Sequence, residues 1–214
     1  MPWFESEIVP RILPLIMPVC VTALALLGFW ALGCFNRLQA LRFAAWQDMQ
    51  RCLQAWQERN LATANVLHLL DAYVQHERAA LALVDAALQA HAQTSATVRV
   101  NALQPSTLQE LAVREGQLAQ QIAQLRQLCV EYADLKVNPQ LIGLWAHHAA
   151  VEDTCTYLLR AYNNAAQRFN LAAAQTPASW VARGLRLVPC MLVHPLAAQP
   201  VTQATNQSTQ LQLL

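Results

Sequence analysis

Apolar side chains fall along this chain in two distinct patterns. From Ile12 to Phe35 they are nearly continuous, without a charged residue, and Arg11 and Arg37 close the stretch on either side. That stretch exceeds the ~20 helical residues needed to cross a hydrocarbon core. Beyond Phe35, apolar positions recur at spacings of three and four, the period of one face of an α-helix. No strand-like alternation persists. The pattern predicts an all-α protein: a short tail over 1–11, a transmembrane helix over 12–35, a helical bundle over 36–187 and a low-order tail over 188–214.

The bundle helices are read from their stripes and stops. Neither Gly nor Pro occurs from Asn36 to Gln104, so the strongest helix breakers are absent there. Val66, Leu70, Tyr73, Glu77, Leu81, Val84 and Leu88 share one helical face, and the β-branched, polar stretch Thr94–Val100 is expected to end that helix. Thr107 and Glu110 have the spacing of a capping box. Leu111, Leu118, Ile122, Leu125 and Leu128 form the next stripe, and Tyr132–Val137 reads as a loop. Asn138 is the expected N-cap and Pro139 the first residue of a further helix. Its face carries Leu141, Leu144, Trp145, His148, Glu152, Cys155, Leu159, Tyr162, Ala166 and Phe169. Thr176-Pro177 closes it and starts a short helix through Arg183. Single-faced helices bury their stripes on one another, which makes an antiparallel four-helix bundle the economical fold. Arg51–Asn65 leaves two options. A turn near Asn60 gives four bundle helices, whereas an unbroken first helix leaves the membrane as a long rod, of which only the far half joins a three-helix bundle.

Composition narrows the classes. The 214 residues suit one domain with an anchor and a tail, and the formal net charge is +1. With no basic run, nucleic acid is not an expected partner. None of the six cysteines, Cys20, Cys34, Cys52, Cys129, Cys155 and Cys190, forms a C-x-x-C pair, so reduced and mostly buried thiols are expected.

A cleaved signal peptide wants a cationic start and an apolar core of ~7–15 residues. Here Glu5 and Glu7 occupy the start and the core is too long. A lipoprotein site ending in Gly33-Cys34 is the rival, although Ala31 stands where a larger aliphatic residue is usual. Trp3, Phe4 and Trp30 suit the two membrane interfaces. Arg11 precedes the span, whereas Arg37, Arg42 and Arg51 follow it, so the bundle is expected on the cytoplasmic side.

Glu77 and Glu152 lie on apolar faces, and His148 shares the second. The first reading is a buried structural network with Arg160, Tyr73, Tyr162 or Asn163 as partners. The second is a stripe slightly out of phase that leaves the glutamates in solvent. The third is a metal site or metal-dependent enzyme using His76, Glu77, His148 and Glu152, but the Glu-x-x-His pairs of di-iron bundles are missing. There is no phosphate-cradling Gly loop, Gly-x-Ser-x-Gly, His-Glu-x-x-His or Rossmann fingerprint. No catalytic residue, metal or cofactor is assigned.

Several short segments resemble the LemA family. Phe35-Asn36-Arg37-Leu38 with Leu41-Arg42 is similar to its Tyr-Asn-x-Leu-Val-x-Leu-Arg. Ala64-Asn65-Val66-Leu67 and Ala72-Tyr73-Val74-Gln75-His76-Glu77 resemble its Pro-Asn-Leu-Val and Gly-Tyr-Ala-x-His-Glu. Tyr132-Ala133-Asp134-Leu135-Lys136-Val137-Asn138 resembles Tyr-Pro-x-Leu-Lys-Ala-Asn. Glu152, Tyr157, Tyr162-Asn163-Asn164-Ala165, Phe169-Asn170 and Pro177 follow at the family's spacing. The likeness runs from about Phe35 to Gly184. The chain departs from the pattern where Ala64 replaces Pro, where Leu159 and then Arg160 stand near an expected basic residue, and where Val188-Pro189-Cys190 replaces an aromatic, acidic ending. The resemblance implies a four-helix bundle behind an N-terminal membrane helix in a bacterial inner membrane. It supplies no reaction. A relative, MamQ, acts in magnetosome membrane formation, so the implied role is a non-enzymatic scaffold for membrane or envelope proteins, with the bilayer as one partner and self-association as another.

Overall fold

A computed structural model of the chain describes residues 5–73, 77–101 and 103–194, with side chains from residue 17 onward. It contains α1 (Glu5–Tyr73), α2 (Arg78–Val100), α3 (Pro105–Glu131), the single turn α4 (Ala133–Lys136), α5 (Pro139–Ala174) and α6 (Ala178–Gly184). Among the described residues there is no strand. The segment expected as a short tail is helical from Glu5.

The rod is observed, but without the three-helix bundle expected with it: α1 is unbroken at Asn60, burial begins already at Leu38, and α1, α2, α3 and α5 pack as four helices. α1 passes Asn60 without a break, because Asn60 spends its amide on a cross-bundle contact: its Nδ2 lies 3.0 Å from His91 Nδ1. An asparagine so paired does not compete for its own backbone. α1 ends instead at Tyr73, and α2 starts at Arg78. The expected face running from Tyr73 through Glu77 to Leu81 is therefore split between two helices, with Tyr73 exposed and Glu77 at the N-cap of α2.

Thr94–Val100 does not end α2. The Thr94 and Thr97 hydroxyls donate to the carbonyls of Ala90 and Gln93, four residues back, which satisfies them inside the helix. The capping box does not form either. Pro105, which lacks an N–H and has φ preset, opens α3 two residues earlier, and the Thr107 hydroxyl donates to Gln104 O at 2.9 Å. Asn138 caps α5 as expected, its Oδ1 accepting from Gln140 N at 2.9 Å and Leu141 N at 3.2 Å.

The most apolar stretch of α1 is unburied by the rest of the protein. Val19, Val21, Leu24, Leu26, Leu27 and Phe29 all face outward. A soluble core helix would hide such a face; this one is long and apolar enough to cross a membrane. Burial begins at Leu38. From there Ala45, Met49, Leu53 and Trp56 pack on Leu159, Tyr162, Ala166 and Phe169 of α5. Val66 and Leu70 meet Leu81, Val84, Leu125, Leu135 and Leu141 at the far end. The α2–α3 hairpin completes the four-helix layer. Cys52, Cys129, Cys155 and Cys190 are buried and free.

The low-order tail expected from Val188 does not start there. Residues 187–193 form an extended strap along α5, with Cys190 and Val193 buried. Asn170 Nδ2 donates to Cys190 O (2.7 Å) while its Oδ1 accepts from Cys190 N (2.8 Å). Asn163 grips Val193 in the same way, at 2.8 and 2.9 Å. Tyr162 donates to Met191 O at 2.6 Å. The register follows from geometry. Seven helical residues rise ~10.5 Å and three extended residues span ~10 Å, so Asn163 and Asn170 meet Val193 and Cys190 in antiparallel order. The remainder of the expected tail, 195–214, lies outside the described residues.

Replacing Asn163 or Asn170 by Ala removes two hydrogen bonds and leaves strap backbone groups unpaired, a loss of about 1–3 kcal/mol each. Thermal melts of the full chain in detergent should show it, and hydrogen exchange should quicken within 187–193 while α2 and α3 keep their protection. Unchanged exchange in the strap would contradict this register.

Candidate functional site

The middle of the bundle holds a charged group inside an apolar core. Arg59 of α1 and Glu115 of α3 are 1% and 5% exposed. Arg59 Nη1 pairs with Glu115 Oε1 and Nη2 donates to Glu115 Oε2 at 2.7 Å, a fork-on-fork arrangement. His91 of α2 lies beneath, its Nε2 2.9 Å from Glu115 Oε2, although the angle falls short of a good hydrogen bond. Asn60 reaches the other ring nitrogen, and Trp56 meets the imidazole edge-on at 5.6 Å. Glu152 of α5 approaches Arg59 Nη1 at 3.4 Å from a half-exposed position. Three helices thus meet at one carboxylate, and the fourth touches its arginine.

The local sequence explains the geometry. Trp56, Arg59, Thr63, Val66 and Leu70 follow a three–four spacing on the buried face of α1. Glu115 fills the gap between Leu111 and Leu118 on α3, and His91 continues Val84 and Leu88 on α2. All three polar residues sit where a hydrophobe would be expected. That interruption of the stripe is the signal in the sequence that could have found them, in place of the expected Glu77 and Glu152.

The electrostatics are those of a compensated buried pair. Burial alone would raise the Glu115 carboxyl, but the paired Arg59 guanidinium, by hydrogen bond and charge, with the His91 imidazole close by, holds it down at about 2. Burial works against the Arg59 charge too, and Glu115 more than offsets it, raising the guanidinium further. Burial pushes the Cys155 thiol up to about 12 and the Cys52 thiol higher still, so neither is a ready nucleophile.

A second polar spot lies one step toward the far end. His148 is buried, edge-on to Trp145 at 5.4 Å, and Arg126 stacks over the Trp145 ring at 4.8 Å. Burial, then the charge of Arg126, lowers His148 to about 4. The imidazole is therefore neutral at pH 7.

The other residues singled out in the sequence are dispersed. Glu77 accepts from Tyr132 OH at 3.4 Å near the α2 start, far along the bundle from the Arg59 contact of Glu152. Arg160 is exposed and joins neither glutamate; Tyr73 is exposed; Tyr162 and Asn163 hold the strap. The expected buried network thus exists with other members, and Glu152 is its outer edge. Asn36, Asn65 and Lys136 are exposed, Arg42 is half-buried near Cys190, and Leu135 is buried beside Leu141. His76 lies outside the described residues. Among those described, no three His, Cys, Asp or Glu side chains converge as metal ligands would.

Between α1 and α2 runs a cleft of ≈ 630 Å³, floored by Leu53, Leu61, Leu88, Ala92 and Ala96. At one end Arg99 donates across it to Gln57 at 3.2 Å. Asn60 belongs to both the cleft wall and the buried group.

The LemA family model matches residues 45–203 of this chain. The protein is a member of the LemA family. The LemA match takes in the bundle half of α1, both hairpin helices, α5 with its asparagine pair, α6 and the strap, and extends beyond the Gly184 reached by the motif resemblance. No curated protein matches the chain.

Glu115→Leu strands a buried guanidinium beside a half-exposed carboxylate and should cost about 3–5 kcal/mol. The double variant Arg59→Met with Glu115→Leu should recover much of that loss, since a packed apolar pair removes both charges together. Denaturant melts of the full chain in detergent, arranged as a double-mutant cycle, measure it; additive losses would contradict the pairing.

Acid should weaken the bundle in two stages. Both groups have folded values below their unfolded ones, so both contribute fully at neutral pH. The His148 contribution is lost as pH falls from the usual 6.5 toward 4, and that of Glu115 from about 4.5 toward 2. His148→Gln should flatten the melting temperature between pH 6.5 and 4.5 and leave the fall below it.

Proposed function

We propose that this protein is a non-enzymatic scaffold, anchored in a bacterial inner membrane by the apolar part of α1, that presents its bundle to membrane or envelope proteins on the cytoplasmic side. The observation that carries the reading is continuity. A single helix passes from an unburied apolar stretch into the packed core without Gly or Pro after Gly33. The bundle is therefore held stiffly to whatever surrounds that stretch. Arg37, Arg42 and Arg51 follow the span against Arg11 before it, which favours the cytoplasmic side.

Polar chemistry in the core supports a structural role over a catalytic one. Glu115 has its charge bound by Arg59, and the Cys52 and Cys155 thiols are held protonated. The α1–α2 cleft suits a partner helix: an apolar floor with alanines that permit close approach, walled by Gln57 and Asp85.

Two measurements test this. A green fluorescent protein fused to the C-terminus should fluoresce, whereas alkaline phosphatase at the same place should stay inactive; the reverse would place the bundle outside. A photo-crosslinker at Leu61 should give a defined adduct in native membranes that Ala92→Arg abolishes, while one at the exposed Tyr157 on α5 gives none. Absence of any adduct at Leu61 overturns the scaffold reading for this cleft, and an adduct of twice the chain mass assigns the cleft to a second copy.

A further inference from the structure

α6 sits at the end of the bundle from which the apolar stretch departs. Its start packs against Trp30, Cys34, Arg37 and Leu38 of α1 across a small cavity of ≈ 210 Å³. Ser179 and Ala182 face inward and are buried. The outward side leaves Trp180 68% exposed, Leu185 49% and Val188 52%. Arg183 and Arg186 are exposed among them, and Arg37 is exposed on the adjoining turn of α1.

Two further observations bear on what covers this face. The first is charge. No Asp or Glu occurs between Glu7 and Asp48, nor anywhere after Asp153. The segments that build this end of the bundle contribute arginines and no carboxylate, while the acidic residues stand farther along it.

The second is backbone conformation. α6 ends in a Schellman turn: Leu187 N donates to Ala182 O at 3.0 Å and Arg186 N to Arg183 O at 3.1 Å. The residue between them must take a left-handed conformation, and Arg186 does so at φ 50. Glycine is the usual occupant because it has no Cβ to clash. An arginine there is strained for no packing gain, since its side chain is exposed. Strain kept at an exposed charged residue points to a use for the charge.

We propose that the corner made by Trp180, Arg183, Leu185, Arg186 and Val188 docks on the anionic lipid headgroups around the point where α1 enters the bilayer. The proposal rests on the membrane-spanning reading of α1. Trp180, Leu185 and Val188 supply the amphipathic and apolar groups that partition into an interface, and the arginines supply attraction to acidic lipid. Each arginine close to an anionic surface is worth about a fivefold shift in such an equilibrium, so the Arg183–Arg186 pair contributes about 25-fold.

The test uses the full chain in lipid nanodiscs, one set zwitterionic phosphatidylcholine and one with about a third phosphatidylglycerol, read by amide hydrogen exchange over 178–188. Exchange there should slow in the anionic discs, and Arg183→Gln with Arg186→Gln should abolish the difference. Arg186→Gly separates docking from folding. It relieves the turn, so the protein should melt at the same temperature or higher, yet lose part of the anionic protection. Exchange over 178–188 that is identical in the two lipids overturns the docking proposal. Carbonate extraction of the chain from vesicles checks the other premise: release from the membrane overturns the spanning reading, whereas retention with identical exchange overturns docking alone.

Discussion

A bidentate ion pair between Arg59 and Glu115 joins the long first helix to the third where neither charge can reach bulk water. Its energetics are asymmetric. Made, it roughly offsets the cost of taking two ions out of water; broken, it leaves one of them stranded. The pair therefore acts less as a source of stability than as a constraint on arrangement. Any sliding of α3 along α1 by one turn would separate the guanidinium from its only fully buried counter-charge. His91 and Asn60 extend the same constraint to α2, and Glu152 extends it to α5. Apolar stripes of Ala and Leu tolerate many registers; this group tolerates one.

The strap applies the same logic at the α6 end of the bundle with neutral groups. Side-chain amides of Asn163 and Asn170 each pair with both the N–H and the C=O of one strap residue, so buried backbone polar groups are satisfied without a strand partner. That gives a physical reason for the asparagines that the sequence resemblance marked. They fix the chain after α6 in a single direction and hold the Schellman corner in place between two anchored elements.

Much of the architecture was legible in the residues. The unbroken apolar stretch, the Asn138-Pro139 helix start, the α5 stripe and the Thr176-Pro177 stop are all local signals, and local interactions decide them. Most of what failed was non-local. The sequence between the end of α1 at Tyr73 and the start of α2 at Arg78 carries neither Gly nor Pro. Asn60 looks like a breaker until its partner, thirty-one positions away, is known. Thr94 and Thr97 look like helix enders until their hydroxyls are seen to bond the preceding turn. Arg59, His91 and Glu115 are separately ordinary charged residues on helices, and only their meeting gives them meaning. Glu77 and Glu152 stand on apolar faces in the sequence, yet in the fold one marks a helix start and the other the rim of the central group.

The stiffness of α1 has a mechanical consequence. From Trp30 to Tyr73 the helix measures about 65 Å at ~1.5 Å per residue, with no joint along its length. A spanning segment leans when the hydrocarbon layer thins, and leaning it by about 10° would sweep the far tip sideways by about 11 Å. A small change in bilayer thickness would thus arrive at the distal end magnified into a displacement as wide as a helix.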